Sequence, residues 1–551
     1  MSSGGSSARG PLNVIWFVVD SVRNYRSGGD DRDKLDVMDA LASECIDFET
    51  VVTSAPSTVM SGATMMTGCP AYLIGRDYDS FSYDESAFPS LGQILKRRGY
   101  LTEAVMWFLH SRQRLGGKAI DLVDRGFWPR GLKFGRSWTN DEVSHILNRR
   151  LDRGLEEPFF LLAWYNCRGD PDTSLKVERD LDRLKEMGAL DNSVFVMCSD
   201  HGYPDPSRGM GPQWFARQGL THDLVITDDN ILVPLLIRYP GCTPRRVTTP
   251  VSTMDLMPTI LDLLGVEPST QEASCIQGQS LVPLMEGRPA PQLQGRKFRS
   301  DARFMMQTHR TTAIRGDRHK YIIRHDEAVE ELYDLREDPS ESQNLIGESS
   351  LSEVVSEFRE EFHRSEREAV DSHLRYLLGR SGRLGDLDAS VTASVIYNEA
   401  IQNGEIILNA LPAFLPQARM TLVTNQTVGE WAEQTYDTVV RCEGAVSING
   451  AGGSVPEQGD LVIILTSNRR GASFQSAQDL GRRLTSRRPL VISLDPAGLG
   501  APKRSLGFMW KVAYRRKQMY WHEPALLIRD MRHAITRMRL RKFRPTVSST
   551  P

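Results

Sequence analysis

Residues 13–23 read NVIWFVVDSVR, in which the apolar run of residues 13–19 ends in Asp20. Two later runs have the same form: PFFLLAW spans residues 158–164, and SVFVMC spans residues 193–198. Helical patterns such as FPSLGQILKRRGY and LKVERDLDRLKEMGAL lie between them. Strands that are apolar on both faces and alternate with amphipathic helices are typical of a parallel sheet covered by helices on each side. We therefore predict a doubly wound α/β core in the first two thirds of the chain.

Polar residues follow two of these strands directly. Asp20 ends the first run, and Asp200 and His201 follow the third in the pentapeptide SDHGY. The carboxyl ends of parallel strands meet at one edge of a sheet, where open α/β folds bind their ligands, so we expect these side chains to converge. Carboxylates suit hard cations, and imidazole suits zinc, manganese or iron. The sequence therefore predicts a divalent metal site and leaves the choice among Mn²⁺, Zn²⁺ and Ca²⁺ open.

A metal ion beside a hydroxyl group would lower the pKa of that hydroxyl and polarise a phosphoryl or sulfuryl oxygen. The stretch TSAPSTVMSGATMMTGCPAY, residues 53–72, supplies candidate hydroxyls. It is typical of a loop that runs into a helix, with Ser57 and Thr58 at the helix start. Free backbone N–H groups at a helix N-terminus bind anions. We therefore expect the reactive hydroxyl at this helix start.

Length, net charge and cysteine content limit the classes of protein to which this chain can belong. A chain of 551 residues predicts two to three domains, and a net charge of -3 gives no global reason to expect nucleic acid as a partner. The seven cysteines are odd in number and form no CxxC pair, which favours reduced thiols. The start, MSSGGSSARGPLN, does not have the pattern of a secretory signal, and no apolar run is long enough for a membrane span. We predict a cytoplasmic protein that is in contact with a membrane at most peripherally.

The composition changes along the chain and predicts its domain organisation. The predicted segments are a flexible leader (1–12), a catalytic domain (13–349) with an antiparallel annex (255–349), a charged linking helix (350–388), a smaller α/β domain (389–523) and a basic amphipathic helix and tail (524–551).

Two features of the C-terminal part suggest binding roles. The runs MTLVTN, DTVVRC, DLVIILTSN and PLVISLD predict a sheet of about four strands in the smaller domain. Its NGAGGS segment lacks the spacing of a dinucleotide fingerprint, so a plain loop is favoured over nucleotide binding. The basic helix after Pro524 could contact an anionic membrane surface or a partner protein, although a helix that caps the domain explains the same pattern.

Seven motifs occur in a fixed order along residues 13–345. They are NVIWFVVDSVR, TVMSGATMMTG, LKEMGALDNSVFVMCSDHG, NILVPLLIRYPG, TMDLMPTILDLLG, GQSLVPLMEG and ELYDLREDPSESQNL. In this order they resemble the sulfatase family of the alkaline phosphatase superfamily. The resemblance implies a large α/β core with a C-terminal antiparallel subdomain, and it says nothing about residues beyond roughly 390.

The resemblance also implies a nucleophile position. The family carries its nucleophile ten residues before the glycine of a Thr-Gly pair, in a Cys-x-Pro-Ser-Arg sequence whose cysteine is oxidised to formylglycine. That glycine is Gly68 here, so the nucleophile position is Thr58, and Met60 and Gly62 stand at the Pro and Arg positions. Formylglycine cannot form here from cysteine. Threonine in this place resembles the superfamily members in which a metal-bound threonine alkoxide attacks phosphorus.

The metal ligands implied by the resemblance also depart from the classical pattern. Classical sulfatases follow the first metal aspartate with a second one, whereas Ser21 takes that place here. What matches is one metal site made of Asp20, Asp200, His201 and Thr58.

Further candidates lie in two loops. The segment YNCRGDPDTS lacks the histidine that the family carries after its second strand. Asp172 in this segment and His222 in THD are the candidates for a second metal, although Asp172 could instead cap the next helix and His222 could contact the substrate. Arg168 could bind an anionic substrate or be a surface arginine. His110 is expected to be structural or exposed.

These observations favour a metal-dependent hydrolase or transferase acting on a phosphoester, above all a phosphodiester, through a covalent phospho-Thr58 intermediate. His222 would position the anionic substrate or protonate the leaving oxygen. Two alternatives stay open: a sulfuric ester hydrolase, and an inactive sulfatase-like fold that serves as a binding or scaffold protein. Asp20, Thr58 and the Asp200-His201 pair form a complete minimal set, and this favours an enzyme.

Overall fold

The computed structural model describes most of the chain up to residue 380 and five strands beyond it. The described ranges are 11–24, 35–70, 88–106, 139–167, 170–204, 225–273, 276–303, 310–324, 329–380, 392–397, 419–424, 438–441, 461–466 and 490–493. The chain divides into two compact units, one holding most residues up to Arg364 and the other the residues from Ser365 on. The predicted leader up to residue 10, the NGAGGS loop and the basic segment 524–551 lie outside the described residues.

A seven-stranded, mostly parallel sheet forms the centre of the first unit. Its strands and the two short strands β3 and β9, which pair with each other, are β1 Asn13–Asp20, β2 Ile46–Phe48, β3 Val51–Val52, β4 Leu101–Met106, β5 Phe159–Asn166, β6 Ser193–Cys198, β7 Leu235–Arg238, β8 Arg245–Val247 and β9 Val251–Ser252. The order in the sheet is β4-β5-β1-β6-β7-β2-β8. Strand β1 runs parallel to both β5 and β6, whereas β7 is antiparallel to both of its neighbours. The predicted doubly wound α/β core is confirmed.

Helices lie against both faces of this sheet. The described helices up to residue 351 are α1 Asp36–Ala42, α2 Thr58–Thr67, α3 Leu91–Arg97, α4 Asn140–Leu151, α5 Thr173–Glu186, α6 Asp228–Ile231, α7 Leu256–Leu263, α8 Thr270–Ala273 and α9 Val282–Met285, with 3-10 turns at Thr253–Asp255, Pro291–Leu293 and Ser349–Leu351. None of the described helices is long and apolar enough to cross a membrane.

The central strand β1 shows why its sequence is apolar on both faces. Trp16 belongs to a cluster of buried side chains that includes residues of α3 and α7, whereas its neighbour Phe17 belongs to a second cluster with residues of α4 and α5. Both side chains are completely buried. Because successive residues of a strand point to opposite faces, a strand between two helical layers must be apolar at every position.

An antiparallel sheet follows in the first unit, as predicted for the annex. Its strands occur in sequence order: β10 Phe298–Arg303, β11 Arg310–Arg315, β12 His319–Arg324 and β13 Val329–Asp334. Strand β10 contacts the loop that precedes α2: the Asp301 amide donates to the Ser54 carbonyl at 2.9 Å, and Ser300 Oγ donates to the Thr53 carbonyl at 2.6 Å. This sheet therefore supports the segment that leads to Thr58.

The charged segment after the annex forms helix α10, Ser352–Arg380. Beyond it the structure describes a parallel sheet with strands β14 Thr392–Tyr397, β15 Arg419–Thr424, β16 Thr438–Arg441, β17 Leu461–Thr466 and β18 Leu490–Ser493. Its order is β16-β15-β14-β17-β18, so the sheet extends in both directions from β14. It has five strands where the sequence predicted about four. The strand that the prediction missed is β14, whose sequence TASVIY starts with small and polar residues and has only a short apolar part.

Candidate active site

The candidate site lies at the carboxyl ends of two neighbouring parallel strands. Asp20 is the last residue of β1, and Asp200 and His201 follow β6 closely. The pairing of Val18 with Cys198 aligns the ends of these strands. One ligand atom from each of the three polar residues lies within 4.8 Å of the others, and all three residues are buried. The structure thus brings together the side chains that the sequence predicted to converge.

Thr58 lies next to this group at the start of α2. Its Oγ1 is 3.1 Å from Asp20 Oδ2 and 3.1 Å from His201 Nε2. Thr58 is the first helical residue, so its hydroxyl is at the positive end of the helix dipole. Gly68 ends the same helix in a left-handed conformation with φ of 64°, which a glycine adopts without steric cost.

The protonation of His201 follows from its neighbour. Its Nδ1 lies 2.7 Å from the Gly202 carbonyl oxygen, which can only accept a hydrogen bond, so Nδ1 carries the proton. The lone pair of Nε2 then faces the cluster, 3.5 Å from Asp200 Oδ2 and 3.8 Å from Asp20 Oδ1. A histidine held in this tautomer has its Nε2 ready to bind a metal ion.

Asp200 shows most directly that a cation fits here. Its Oδ1 accepts a hydrogen bond from the Ser21 amide at 3.2 Å, but its Oδ2 is completely buried and has no hydrogen-bond partner among the residues that the structure describes. Burial raises the pKa of Asp200 well above its usual range, and the nearby Asp20 carboxylate raises it further. A buried anionic oxygen without a partner is costly, and a bound cation would satisfy it. The donor set of two carboxylates, one imidazole and one hydroxyl suits a divalent metal.

The start of α2 is also open to an anion. Ser57, the residue before the helix, makes no side-chain capping bond, and its buried Oγ has no hydrogen-bond partner in the described part of the chain. Ser61, one turn into the helix, donates its hydroxyl to the Asp200 carbonyl at 2.6 Å. This bond holds the helix start against the loop that carries the metal ligands. The arrangement places a hydroxyl, a candidate cation site and free helix N–H groups side by side.

Asp172, a predicted candidate for a second metal, is not part of this group. Asp172 is exposed and stands immediately before α5, where its side chain makes no capping bond. It is absent from the one cluster of potential metal ligands among the described residues. His222, Arg168 and His110 lie outside the described residues.

Two serines at the site were not predicted to act there. Ser21 Oγ donates to Asp20 Oδ1 at 2.6 Å, and Ser199 Oγ donates to the His201 carbonyl at 2.8 Å. Ser199 also accepts a hydrogen bond from the Val22 amide at 3.0 Å. The only sequence signal was their position beside the predicted ligands.

Comparison with known proteins gives two family matches, one in the N-terminal part of the chain and one further along it. The family described as Sulfatase matches residues 12–127, and the family described as N-sulphoglucosamine sulphohydrolase, C-terminal, matches residues 218–368. The chain belongs to the sulfatase family of the alkaline phosphatase superfamily. The resemblance noted in the seven motifs is confirmed.

Curated relatives of this sulfatase-family protein match over part of their length. A choline-sulfatase of Rhizobium meliloti is 33% identical over 173 residues, which are 31% of this chain and 30% of the relative. An N-acetylglucosamine-6-O-sulfatase of Bacteroides thetaiotaomicron is 28% identical over 205 residues, which are 36% of this chain and 34% of the relative. The matched parts therefore span about a third of these relatives.

Solved structures show the same fold. A 2-O GAG sulfatase has a TM-score of 0.53 and 18% identity, with 65% of this chain and 93% of that chain covered. The phosphonate monoester hydrolase of Silicibacter pomeroyi has a TM-score of 0.50 and 16% identity, with 64% and 95% covered. At these identities the likeness concerns the fold.

Proposed function

We propose that this protein is an ester hydrolase that cleaves a sulfate ester, with Thr58 as its nucleophile. The observation that carries this proposal is the position of Thr58 Oγ1, 3.1 Å from both Asp20 Oδ2 and His201 Nε2 at the start of α2. Both matching families and the curated relatives are named as sulfatases, which supports a sulfate ester over the phosphodiester that the sequence favoured.

Asp20, Asp200 and His201 would hold a divalent metal ion with the Thr58 hydroxyl beside it. When bound, such an ion lowers the pKa of the hydroxyl and offsets negative charge on the ester oxygens. The buried Oδ2 of Asp200, which has no hydrogen-bond partner within the described ranges, supports this assignment.

The proton of the Thr58 hydroxyl has two neighbouring acceptors. His201 Nε2 cannot hold a metal ion and accept a proton with the same lone pair. Asp20 Oδ2, 3.1 Å from Thr58 Oγ1, is then the acceptor that the described residues provide. The Ser21 hydroxyl, which donates to the other oxygen of Asp20, keeps this carboxylate in place.

The reaction would proceed in two displacements at sulfur. Thr58 Oγ gives its proton to Asp20 and forms a bond to sulfur while the bond from sulfur to the alcohol oxygen breaks, and the alcohol takes up a proton from solvent. Water then attacks the same sulfur, Asp20 returns its proton to Thr58 Oγ as the bond between Thr58 and sulfur breaks, and hydrogen sulfate leaves and loses its proton to solvent. The free N–H groups in the first turn of α2 would stabilise the non-bridging oxygens in both steps.

A phosphoester is the second candidate substrate, and the identity of residue 58 favours it. Thr58 carries a methyl group on Cβ, so its oxidation would give a ketone and not the aldehyde of formylglycine. The residue must therefore react through an ordinary hydroxyl, which suits attack on phosphorus as well as on sulfur. The molecule that accepts the phosphoryl group from Thr58 would then decide the outcome: water gives hydrolysis, and another hydroxyl gives transfer.

Turnover of matched chromogenic esters tests the proposal. The protein is assayed with 4-nitrophenyl sulfate, bis-(4-nitrophenyl) phosphate and 4-nitrophenyl phosphate in the presence of Mn²⁺. We expect the sulfate ester to be the best substrate, and we expect Thr58→Ala to lower kcat by a factor on the order of 10³ or more because the nucleophile is removed. Thr67→Ala is the matched control, since Thr67 ends the same helix and donates its hydroxyl to the Ala63 carbonyl.

The outcomes separate the candidate functions. Faster cleavage of the phosphodiester than of the sulfate ester would select the second candidate. Full activity in Thr58→Ala would refute the nucleophile assignment. Cleavage of none of the esters by a folded, metal-loaded protein would favour the alternative of an inactive binding or scaffold protein.

A further inference from the structure

Ser21 has a backbone conformation that serine rarely adopts. Its φ is 66°, in the left-handed region, and it is one of two residues other than glycine with positive φ among those the structure describes. Such a conformation persists only where the surrounding contacts impose it, and it is often found at functional sites. Ser21 also stands where classical sulfatases carry a second metal aspartate.

The contacts of Ser21 explain the conformation. Its hydroxyl donates to Asp20 Oδ1 at 2.6 Å, and its amide donates to Asp200 Oδ1 at 3.2 Å. One residue thus binds an oxygen of each of the two carboxylates. The Val22 amide continues this link by donating to Ser199 Oγ, which donates in turn to the His201 carbonyl. The Ser21 amide engages Asp200 Oδ1, and Asp200 Oδ2 has no hydrogen-bond partner among the described residues.

We propose that Ser21 is a positioning residue that makes this site prefer a transition metal such as Mn²⁺ to Ca²⁺. With serine at this position, the described residues offer two carboxylates and one imidazole, whose charge balances a divalent ion. Calcium takes six to eight oxygen ligands, whereas imidazole nitrogen suits manganese, zinc or iron. A third carboxylate at residue 21 would add negative charge and oxygen ligands, and both favour calcium. Hydrogen bonds that orient metal-binding carboxylates also contribute to affinity.

The inference rests on the metal site of the proposed function, and it is tested without substrate. The full chain is stripped with EDTA, and the binding of Mn²⁺ and of Ca²⁺ is measured by isothermal titration calorimetry. We expect Mn²⁺ to bind at least about tenfold more tightly than Ca²⁺. Ser21→Asp is expected to narrow that ratio about tenfold or to invert it, because charge and oxygen count tune calcium affinity. Ser21→Asn is the matched control, because asparagine has nearly the shape of aspartate but no charge. This variant is expected to keep the preference for Mn²⁺.

Ser21→Gly is a second test variant for the case that aspartate or asparagine at residue 21 disturbs the fold. Glycine adopts a φ of 66° without steric cost, so the metal-free variant is expected to melt at or above the temperature of the native protein. Its affinity for Mn²⁺ should nevertheless fall about 10–100-fold, because the hydroxyl that orients Asp20 is gone.

Three results would overturn the inference: tighter binding of Ca²⁺ than of Mn²⁺, binding of neither ion, or an unchanged Mn²⁺ affinity in Ser21→Gly. Failure of the proposed function has a different signature. A protein that prefers Mn²⁺ as expected but cleaves no sulfate ester would refute the sulfate-ester assignment and leave the role of Ser21 standing.

Discussion

Lys320 is a completely buried lysine whose replacement should destabilise the first unit strongly. Its Nζ lies 3.0 Å from Asp228 Oδ1 and 2.9 Å from Glu341 Oε2. Arg315 binds the other oxygen of Asp228 at 3.0 Å. These four side chains join the antiparallel sheet to α6, which begins at Asp228.

Lys320→Met removes one charge from this buried network and leaves Glu341 as an uncompensated anion. Breaking a buried ion pair in this way costs about 3–5 kcal/mol. For a unit of about 350 residues, an unfolding entropy of about 2 cal/mol/K per residue converts this into a melting temperature lower by about 4–7 °C.

The loss of stability in Lys320→Met should depend on pH, because Glu341 becomes neutral when it binds a proton. Burial raises the pKa of Glu341 from 4.5 to about 7 in the native protein, and removal of Lys320 would raise it further. A raised carboxyl pKa contributes stability at low pH, and that contribution is lost as pH rises through the folded-state pKa. We therefore expect Lys320→Met to lose less stability at pH 5.5, where Glu341 is neutral, than at pH 8.5.

Differential scanning calorimetry of the full chain at the two pH values measures both effects. Lys185→Met is the matched control: Lys185 pairs with Glu44 at the surface at 3.4 Å, and such exposed pairs contribute about 0–1 kcal/mol. An equal loss at pH 5.5 and pH 8.5 would refute the role of Glu341. A loss no larger than in the control would refute the importance of the buried network.

Two further perturbations test the site and its surroundings. In Gly202→Ala the new Cβ would overlap the Asp229 carbonyl oxygen, so the turn after His201 must shift, and we expect a loss of about 1–3 kcal/mol in the free energy of unfolding and a lower kcat. The control for the thermal and kinetic assays is Gly347→Ala, whose Cβ would meet no atom of the described residues within 4 Å. Equal behaviour of the two variants would contradict this account. Removal of metal with EDTA should lower the melting temperature, and return of Mn²⁺ at about 100 times its dissociation constant should restore about 2.7 kcal/mol. An equal melting temperature with and without Mn²⁺ would argue against the metal site.

Much of the fold and part of the site follow from local sequence patterns. The strands β1, β5 and β6 are apolar on both faces except at their ends, and a strand with this pattern is stable only between two apolar layers. The convergence of Asp20 with Asp200 and His201 was predictable for the same reason, since ends of parallel strands share one edge. The pattern placed both Ser57 and Thr58 at the start of a helix, and only the resemblance to the sulfatase family selected Thr58.

Other features depend on contacts between segments that are far apart in sequence. Asp172 had the right residue type for a second metal ligand, yet the structure leaves it exposed before α5. Strand β14, the centre of the second sheet, was missed because its pattern is weak and pairing with β15 and β17 decides its conformation.

By itself, then, the sequence determined the α/β core, the strand ends that carry Asp20 and His201, and the hydroxyl residues Ser57 and Thr58 at the helix start, because periodicity and strand order are local or nearly local properties. Only the tertiary structure decided the left-handed Ser21, whose amide binds Asp200 from 179 positions away, and the burial of Lys320 against Asp228, 92 positions away. The physical reason is that hydrogen bonds and buried ion pairs form wherever folding brings partners together, and no sequence period marks such pairs.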